Sequence, residues 1–322
     1  MAFFSVLLVY SAGSFSFVDT CRVLNESTTY VLTSDINTIG TCFTIGADNV
    51  ILDGNGHTIT GDKGFNDFGV YASGRQGLVL TNLSIDRFGR GVMLFDNVTE
   101  SNINHNVITN STYECIEFNS KINGNYVEFN ALINCGTRGI DLTASSGNRI
   151  SDNYIKGSLD SSAISLSQSS HYNFVKNNLI DLQGSISSGL FISSSDNLVE
   201  NLVIKNSGTD AIRLFEAPYD FGINNNTFVN LSVSGTSSFY PDLSVRFDGR
   251  INSSIVFSDI SSLGKYSFIE PIYGYNDRLV FRDSKFGELR FLDSVFGSGM
   301  NLSDEIQIKN NSNWIDFSFL SK

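Results

Sequence analysis

Three prolines, three methionines, three histidines and one tryptophan are thin provision for 322 residues, and only 17% of the chain is charged. With 41% hydrophobic residues, 28 glycines and 26 phenylalanines, this composition excludes a largely disordered chain and suits a strand-rich globular one. There is no basic run or stripe, and the net charge is −12, so a nucleic-acid partner, which needs clustered Lys and Arg against phosphates, is excluded. The same acidity disfavours a strongly anionic polysaccharide unless calcium bridges the two, and calcium requires clustered oxygen ligands. No Cys-x-x-Cys occurs, which argues against zinc, and no Ser-His-Asp spacing, phosphate loop or dinucleotide fingerprint is present. Beyond the N-terminus no segment is long and apolar enough to span a bilayer.

What the chain does have is a rhythm of asparagines. Asn82, Asn106, Asn130, Asn153, Asn178, Asn201 and Asn226 follow one another at intervals, by subtraction, of 24, 24, 23, 25, 23 and 25 residues. A constant period of this size marks a solenoid, which lengthens by adding units without splitting into domains. Each unit opens on a small residue followed by alternation: GVYA from Gly69, GVML from Gly91, CIEF from Cys115, GIDL from Gly139, AISL from Ala163, GLFI from Gly189 and AIRL from Ala211. Period-two alternation puts Val92, Leu94, Ile116, Phe118, Ile140, Leu142, Ile164, Leu166, Leu190, Ile192, Ile212 and Leu214 on one face, which must be the core. A second short alternating stretch leads to each asparagine and a third follows it. The fold class is therefore all-β: a right-handed single-stranded parallel β-helix with three short strands per coil of about 22–26 residues, closed by N- and C-terminal caps. Stacked asparagines are expected to form a buried structural ladder, each amide bonding to the next, Asn82 included.

The expected organisation runs from a signal peptide or its remnant at 1–18, through an N-terminal cap and first coil at 19–60 and coils at 61–260, to irregular terminal coils or a strand-rich cap at 261–322. The leader reading rests on the apolar MAFFSVLLVY followed by small residues, although a basic start is lacking. Four cysteines permit three pairings. Proximity favours Cys21 with Cys42 and Cys115 with Cys135, each spacing being near one repeat, which fits an oxidising compartment. Nine Asn-x-Ser/Thr sequons, the first at Asn25, offer glycan acceptors if the chain is exported.

Val31 to Gly61, VLTSDINTIGTCFTIGADNVILDGNGHTITG, resembles the opening of secreted right-handed parallel β-helix repeat proteins of the pectate-lyase-like and NosD-type superfamily. The resemblance covers about residues 30 to 260, and the tail is similar to C-terminal parts of archaeal surface β-helix proteins. It implies a polar first coil with an Asp-Gly-x-Gly-His turn, and active sites or glycan grooves on the outward face of the first strand of each coil. Activities in such families are diverse, so fold is implied more narrowly than function. A NosD-type copper site would want His or Met clusters. His57, His105 and His171 instead fall at unequal offsets, with His57 in the turn and His105 pointing outward.

The outward residues of the first strands are Tyr71, Met93, Glu117, Asp141, Ser165, Phe191 and Arg213. Glu117 and Asp141 should stack on neighbouring coils, the spacing at which a retaining glycosidase places acid and nucleophile. Glu114 and Arg138 flank them and can neutralise them. The plainer alternative is a solvated charged patch on a sheet face that has to be polar. The segment GTDAIR, with Asp210 and Arg213, is similar to the first Asp motif of polygalacturonases, but the Asp-Asp, His-Gly and Arg-Ile-Lys motifs that should follow are absent. Tyr71, Phe95, Phe191 and Phe215 offer ring faces on which sugars stack. These residues point to an exported cell-surface protein with a structural or adhesive role, binding glycan through Tyr71, Glu114, Arg138, Phe191, Asp210 and Arg213. The alternative is a polysaccharide lyase or glycosidase using Glu117 and Asp141. No cofactor is expected, calcium being the one ion the acidic positions leave open. The expected partners are a polysaccharide or surface glycan and, at the surface, further copies of the chain.

Overall fold

The structure, a computed structural model, describes residues 15–157, 159–215 and 223–237. Beyond these it describes the strands Leu243–Phe247, Ser254–Ser258, Ser267–Pro271, Arg278–Arg282, Leu289–Phe291 and Glu305–Lys309. The strands fall into three parallel sheets of 12, 13 and 9 strands, and each sheet takes every third strand in chain order through the regular coils. This is a right-handed parallel β-helix without helices among the described residues. The first sheet contains Ile116–Asn119 and Arg138–Thr143, the second Tyr126–Glu128 and Arg149–Ser151, and the third Ala131–Ile133 and Tyr154–Lys156.

Alternation does what the sequence demands. Ile116 pairs with Ile140, then Ile164, Leu190 and Ile212, while Phe118 pairs with Leu142 and Leu166, and all are buried. Each such side chain withdrawn from water contributes about 1.5–3 kcal/mol, offset by the entropy of ordering the chain. The small residue that opens each unit has a packing cause. A Cβ on Gly91 would stand 2.3 Å from Ile108 Cγ2 and 2.6 Å from the Cys115 carbonyl, and one on Gly139 would meet the Ala163 carbonyl at 2.6 Å. At Gly91, Gly139 and Gly189 the last strand of a coil therefore presses an isoleucine against the corner where that same coil opened.

The asparagines form two buried ladders rather than one. In the first, Nδ2 of Asn106 donates to Asn130 Oδ1 at 3.0 Å, Asn130 to Asn153 at 3.0 Å and Asn153 to Asn178 at 3.1 Å. Each Oδ1 also accepts the backbone N–H of the preceding rung, and the remaining Nδ2 hydrogen reaches a strand carbonyl such as Leu80. Ser101, Asn125, Asn148, Asn173, Asn197 and Asn226 build the second ladder at the preceding corner. Asn226 thus belongs to a different ladder from Asn106. Asn82 and Asn201 belong to neither: each precedes a buried leucine, Leu83 or Leu202, and occupies the left-handed corner position at φ 52° or 54°. Asn82 is exposed and donates outside the core to Asp53. The single ladder expected from the sequence fails because both corners, and the left-handed position before each, favour the same residue. Asn and Asp tolerate positive φ best among residues with a side chain.

Both disulfides are present, Cys21–Cys42 and Cys115–Cys135, each tying one coil to its neighbour. Phe15–Val18, within the stretch read as leader, pairs in parallel with Thr29–Leu32. At the other end, Ser267–Pro271 and Arg278–Arg282 continue the first and second sheets in parallel register. The rest of 261–322, apart from the strands named above, lies outside the described residues.

Candidate functional site

Register aligns the outward residues of the first sheet in one file: Tyr71, Met93, Glu117, Asp141, Ser165, Phe191 and Arg213 are successive partners. A second file precedes it, from Phe68 opposite Arg90 to Glu114, Arg138 and Ser162. At the middle of both files sits a compact charge cluster. Arg90 contacts Glu117, and its Nε lies 3.0 Å from Glu114 Oε2. Arg138 Nη1 reaches Glu114 Oε1 at 3.3 Å and Asp141 Oδ2 at 3.6 Å. Thr137 donates to Glu114 at 2.6 Å, Asn119 to Glu117 at 3.2 Å and Thr143 to Asp141 at 3.4 Å.

These carboxylates are not a solvated patch. Glu114, Glu117 and Asp141 are 5%, 7% and 5% exposed, under the long side chains of the two arginines. Burial therefore pushes the Asp141 carboxyl up to about 6, against the opposing pull of the Arg138 guanidinium and the Ser165 hydroxyl; Glu114 and Glu117 add to the rise. A group titrating there can carry a proton near neutrality.

Aromatic rings border the cluster. Arg90 lies over the Tyr113 ring at 5.1 Å, Tyr113 meets the exposed Phe65 edge to face at 5.2 Å, and Phe68 and Tyr71 are 5.3 Å apart. Of the residues singled out from sequence, Glu114, Glu117, Arg138 and Asp141 come together. Tyr71 lies two coils from Glu117. Asp210 and Arg213 lie beyond Ser165 and Phe191, roughly 14 Å from Asp141 at about 4.8 Å per coil. Burial raises the Asp210 carboxyl, opposed by Arg213. Arg213 is itself exposed, with its guanidinium 5.9 Å from the Phe215 ring. Arg90, Tyr113 and Phe65 were missed. The signal was available for Arg90, since it precedes small Gly91 as Glu114 precedes Cys115 and Arg138 precedes Gly139.

A stack of parallel coils with three strands per turn defines the class of right-handed β-helix proteins. Residues 24–239 match the family described as periplasmic copper-binding protein (NosD), and this chain belongs to that family. None of the curated proteins matches it. Among solved structures, an alginate lyase from Paenibacillus sp. is similar at 14% identity and a TM-score of 0.54, over 82% of this chain and 90% of that one. The A-module of a mannuronan C-5 epimerase from Azotobacter vinelandii is similar at 12% identity and a TM-score of 0.57, over 88% and 91%. The catalytic unit of an α-1,3-glucanase from Streptomyces thermodiastaticus is similar at 14% identity and 0.54, over 94% and 62%. At such identities the likeness is one of fold.

Copper does not fit the donors among the described residues. All four cysteines are in disulfides. His57 leans back to Asp35, its Nδ1 3.2 Å from the carboxylate, while His105 leans forward onto Phe129 in the following coil. His171 Nδ1 accepts the Ser195 N–H at the other corner. Among the described residues no three of His, Cys, Asp or Glu gather as metal ligands. Calcium fares no better at the charge cluster, where two guanidiniums occupy the space between the carboxylates. No helix among the described residues is long and apolar enough to cross a membrane.

Proposed function

We propose that this β-helix protein acts outside the cytoplasm as a structural or adhesive component that holds a polysaccharide against the outward face of its first sheet. The observation that supports this reading is the joining of Arg90, Glu114, Glu117, Arg138 and Asp141 to the rings of Tyr113 and Phe65. Sugar rings bury their C–H faces on aromatic side chains, while hydroxyls bond to the rim of a rigid, internally paired charge cluster. Because the chain carries −12, a neutral or weakly charged glycan is favoured over a polyuronate. Affinity electrophoresis in α-1,3-glucan and in alginate, the polymers of the named relatives, tests it. Retardation by the neutral polymer should fall at least about tenfold in Tyr113→Ala and Phe65→Ala together. Equal mobility of wild type and variant in every polymer sinks the reading.

A second reading has one observation in its favour. Asp141, with its carboxyl near 6, sits opposite Glu117 as an acid would in a glycosidase or lyase. Against it, Glu117 is held by Arg90 and Asn119, which lowers its power as nucleophile. Release of reducing ends or unsaturated uronides by wild type, lost in Asp141→Asn and Glu117→Gln, would establish catalysis.

A further inference from the structure

The corner between the second and third sheets carries a file of left-handed residues: Asn82, His105, Phe129, Asp152, Asn177, Asn201 and Asn230 all have φ between 52° and 58°. Most of the file is polar and self-bonded. Asn230 donates to Asn201 at 2.8 Å, Asn201 to Asn177 at 2.9 Å and Asn177 to Asp152 at 3.0 Å, while Asn82 turns the other way to Asp53. His105 and Phe129 interrupt it with two rings stacked at 5.2 Å and 22°, close to the coil spacing.

This interruption has a conformational cost. Phe129 at positive φ is disfavoured by about 1–2 kcal/mol, which Asn, used at four other positions of the file, would largely relieve, whereas His105 tolerates that region better. Phe129 is also 52% exposed, so core packing does not explain it. A strained, exposed aromatic on a rigid corner suggests a role in binding. Tyr126, in the strand leading to Phe129, is 47% exposed. Its partner in the preceding coil, Asn102, has a buried Oδ1 without a hydrogen bond. On the far side, Asp152 is drawn toward Asn177, away from Phe129.

We infer that His105, Phe129, Tyr126 and Asn102 form a binding site for a neutral oligosaccharide, separate from the first-sheet cluster and independent of it. Ring faces supply the apolar contact, and the partly exposed side chain of Asn102 supplies a polar edge beside them. Glu128 is matched by Arg149 at 2.7 Å and Lys176 by Glu200 at 3.1 Å, so neither pair offers a free cation to an anionic ligand, and the one carboxylate of the file, Asp152, is taken up by the Asn177 amide at 3.0 Å. Two rings one coil apart are also far short of the roughly 800 Å² per partner that a stable protein interface buries.

The test replaces each of the two rings by the residue the file itself uses. His105→Asn and Phe129→Asn should leave the melting temperature unchanged or raise it. Calorimetric titration of the full chain with cellohexaose, laminarihexaose and mannohexaose should show at least one of them bound, and about tenfold or more weaker in the variants. Asn201→Gly, three coils further along the same file, should leave this binding intact. The inference is overturned if all three sugars bind the variants as they bind wild type or bind neither, if affinity and melting temperature fall together, or if Asn201→Gly weakens binding equally. It is equally overturned if Phe129→Asn converts a sedimenting dimer to monomer, which assigns the rings to a second copy of the chain.

Discussion

Arg138 Nη1 stands 3.3 Å from Glu114 Oε1, and the same nitrogen is 3.6 Å from Asp141 Oδ2, so one guanidinium serves two buried carboxylates from neighbouring coils. Arg90 likewise serves two, Glu114 and Glu117, both on the coil that follows its own. Three acids and two bases leave the cluster one positive charge short, and Asp141 is where burial shows that deficit as a raised affinity for protons.

Stability should therefore depend on pH through Asp141. Its folded carboxyl titrates at about 6 against an ordinary value of 3.8. Between those limits the folded chain keeps a proton that the unfolded chain has lost, so stability falls as pH rises from about 3.8 to about 6 and is level above. The span corresponds to at most about 3 kcal/mol. Asp141→Asn should remove this component, so that urea titrations find the variant more stable than wild type at pH 7 by about 1–2 kcal/mol and near parity at pH 4. A constant difference across that range would refute the assignment.

Removing Arg90 should be costly for the opposite reason. Arg90→Met strands Glu114 and Glu117 with reduced compensation, and loss of one partner of a buried pair costs about 3–5 kcal/mol. The side chain is 21% exposed, so the lower end is expected. Adding Glu117→Gln to Arg90→Met should recover part of the loss, a coupling that a double-mutant cycle in urea measures.

The two ladders predict unequal asparagines. Asn130→Ala strips Asn106 of the acceptor for both its N–H and its Nδ2, inside the core, and should cost about 2–4 kcal/mol. Asn201→Gly alters only the outer file, where glycine tolerates the left-handed backbone, and should change stability by less than about 1 kcal/mol. Equal losses would contradict the assignment of Asn201 to the surface.

Cys115→Ala with Cys135→Ala opens a link spanning 20 residues of sequence. Loss of loop-closure restraint should lower stability by about 2–3 kcal/mol. Hydrogen exchange should locate the weakening in the coils on either side of Cys115, with the coil around Ile212 unaffected.

Much of this was legible in the chain. Small residues before alternating strands located Ile116 and Phe118 in the core and Glu117 opposite Asp141, because a period of two fixes the face once the coil period is known. The ladder was blurred because Asn125 and Asn130, five residues apart, turn successive corners of one coil, and Asn201 lies one position off. Arg90 and Tyr113 escaped because long side chains reach across coils, and a strand pattern records direction without reach. The burial of Glu117 and Asp141 was likewise invisible, since it depends on the arginines and neighbouring side chains above them.

At the corner after each second-sheet strand, the buried residue carries the fold and the left-handed residue just before it carries almost none of it. That outer position can be rewritten without touching the core, subject only to tolerance of the backbone angle. Repeated at about 4.8 Å, it works as a line of type set on a fixed rail, in which His105 and Phe129 are two characters printed in a different alphabet. New surfaces can arise on such a protein by single substitutions, with no insertion and no change in architecture.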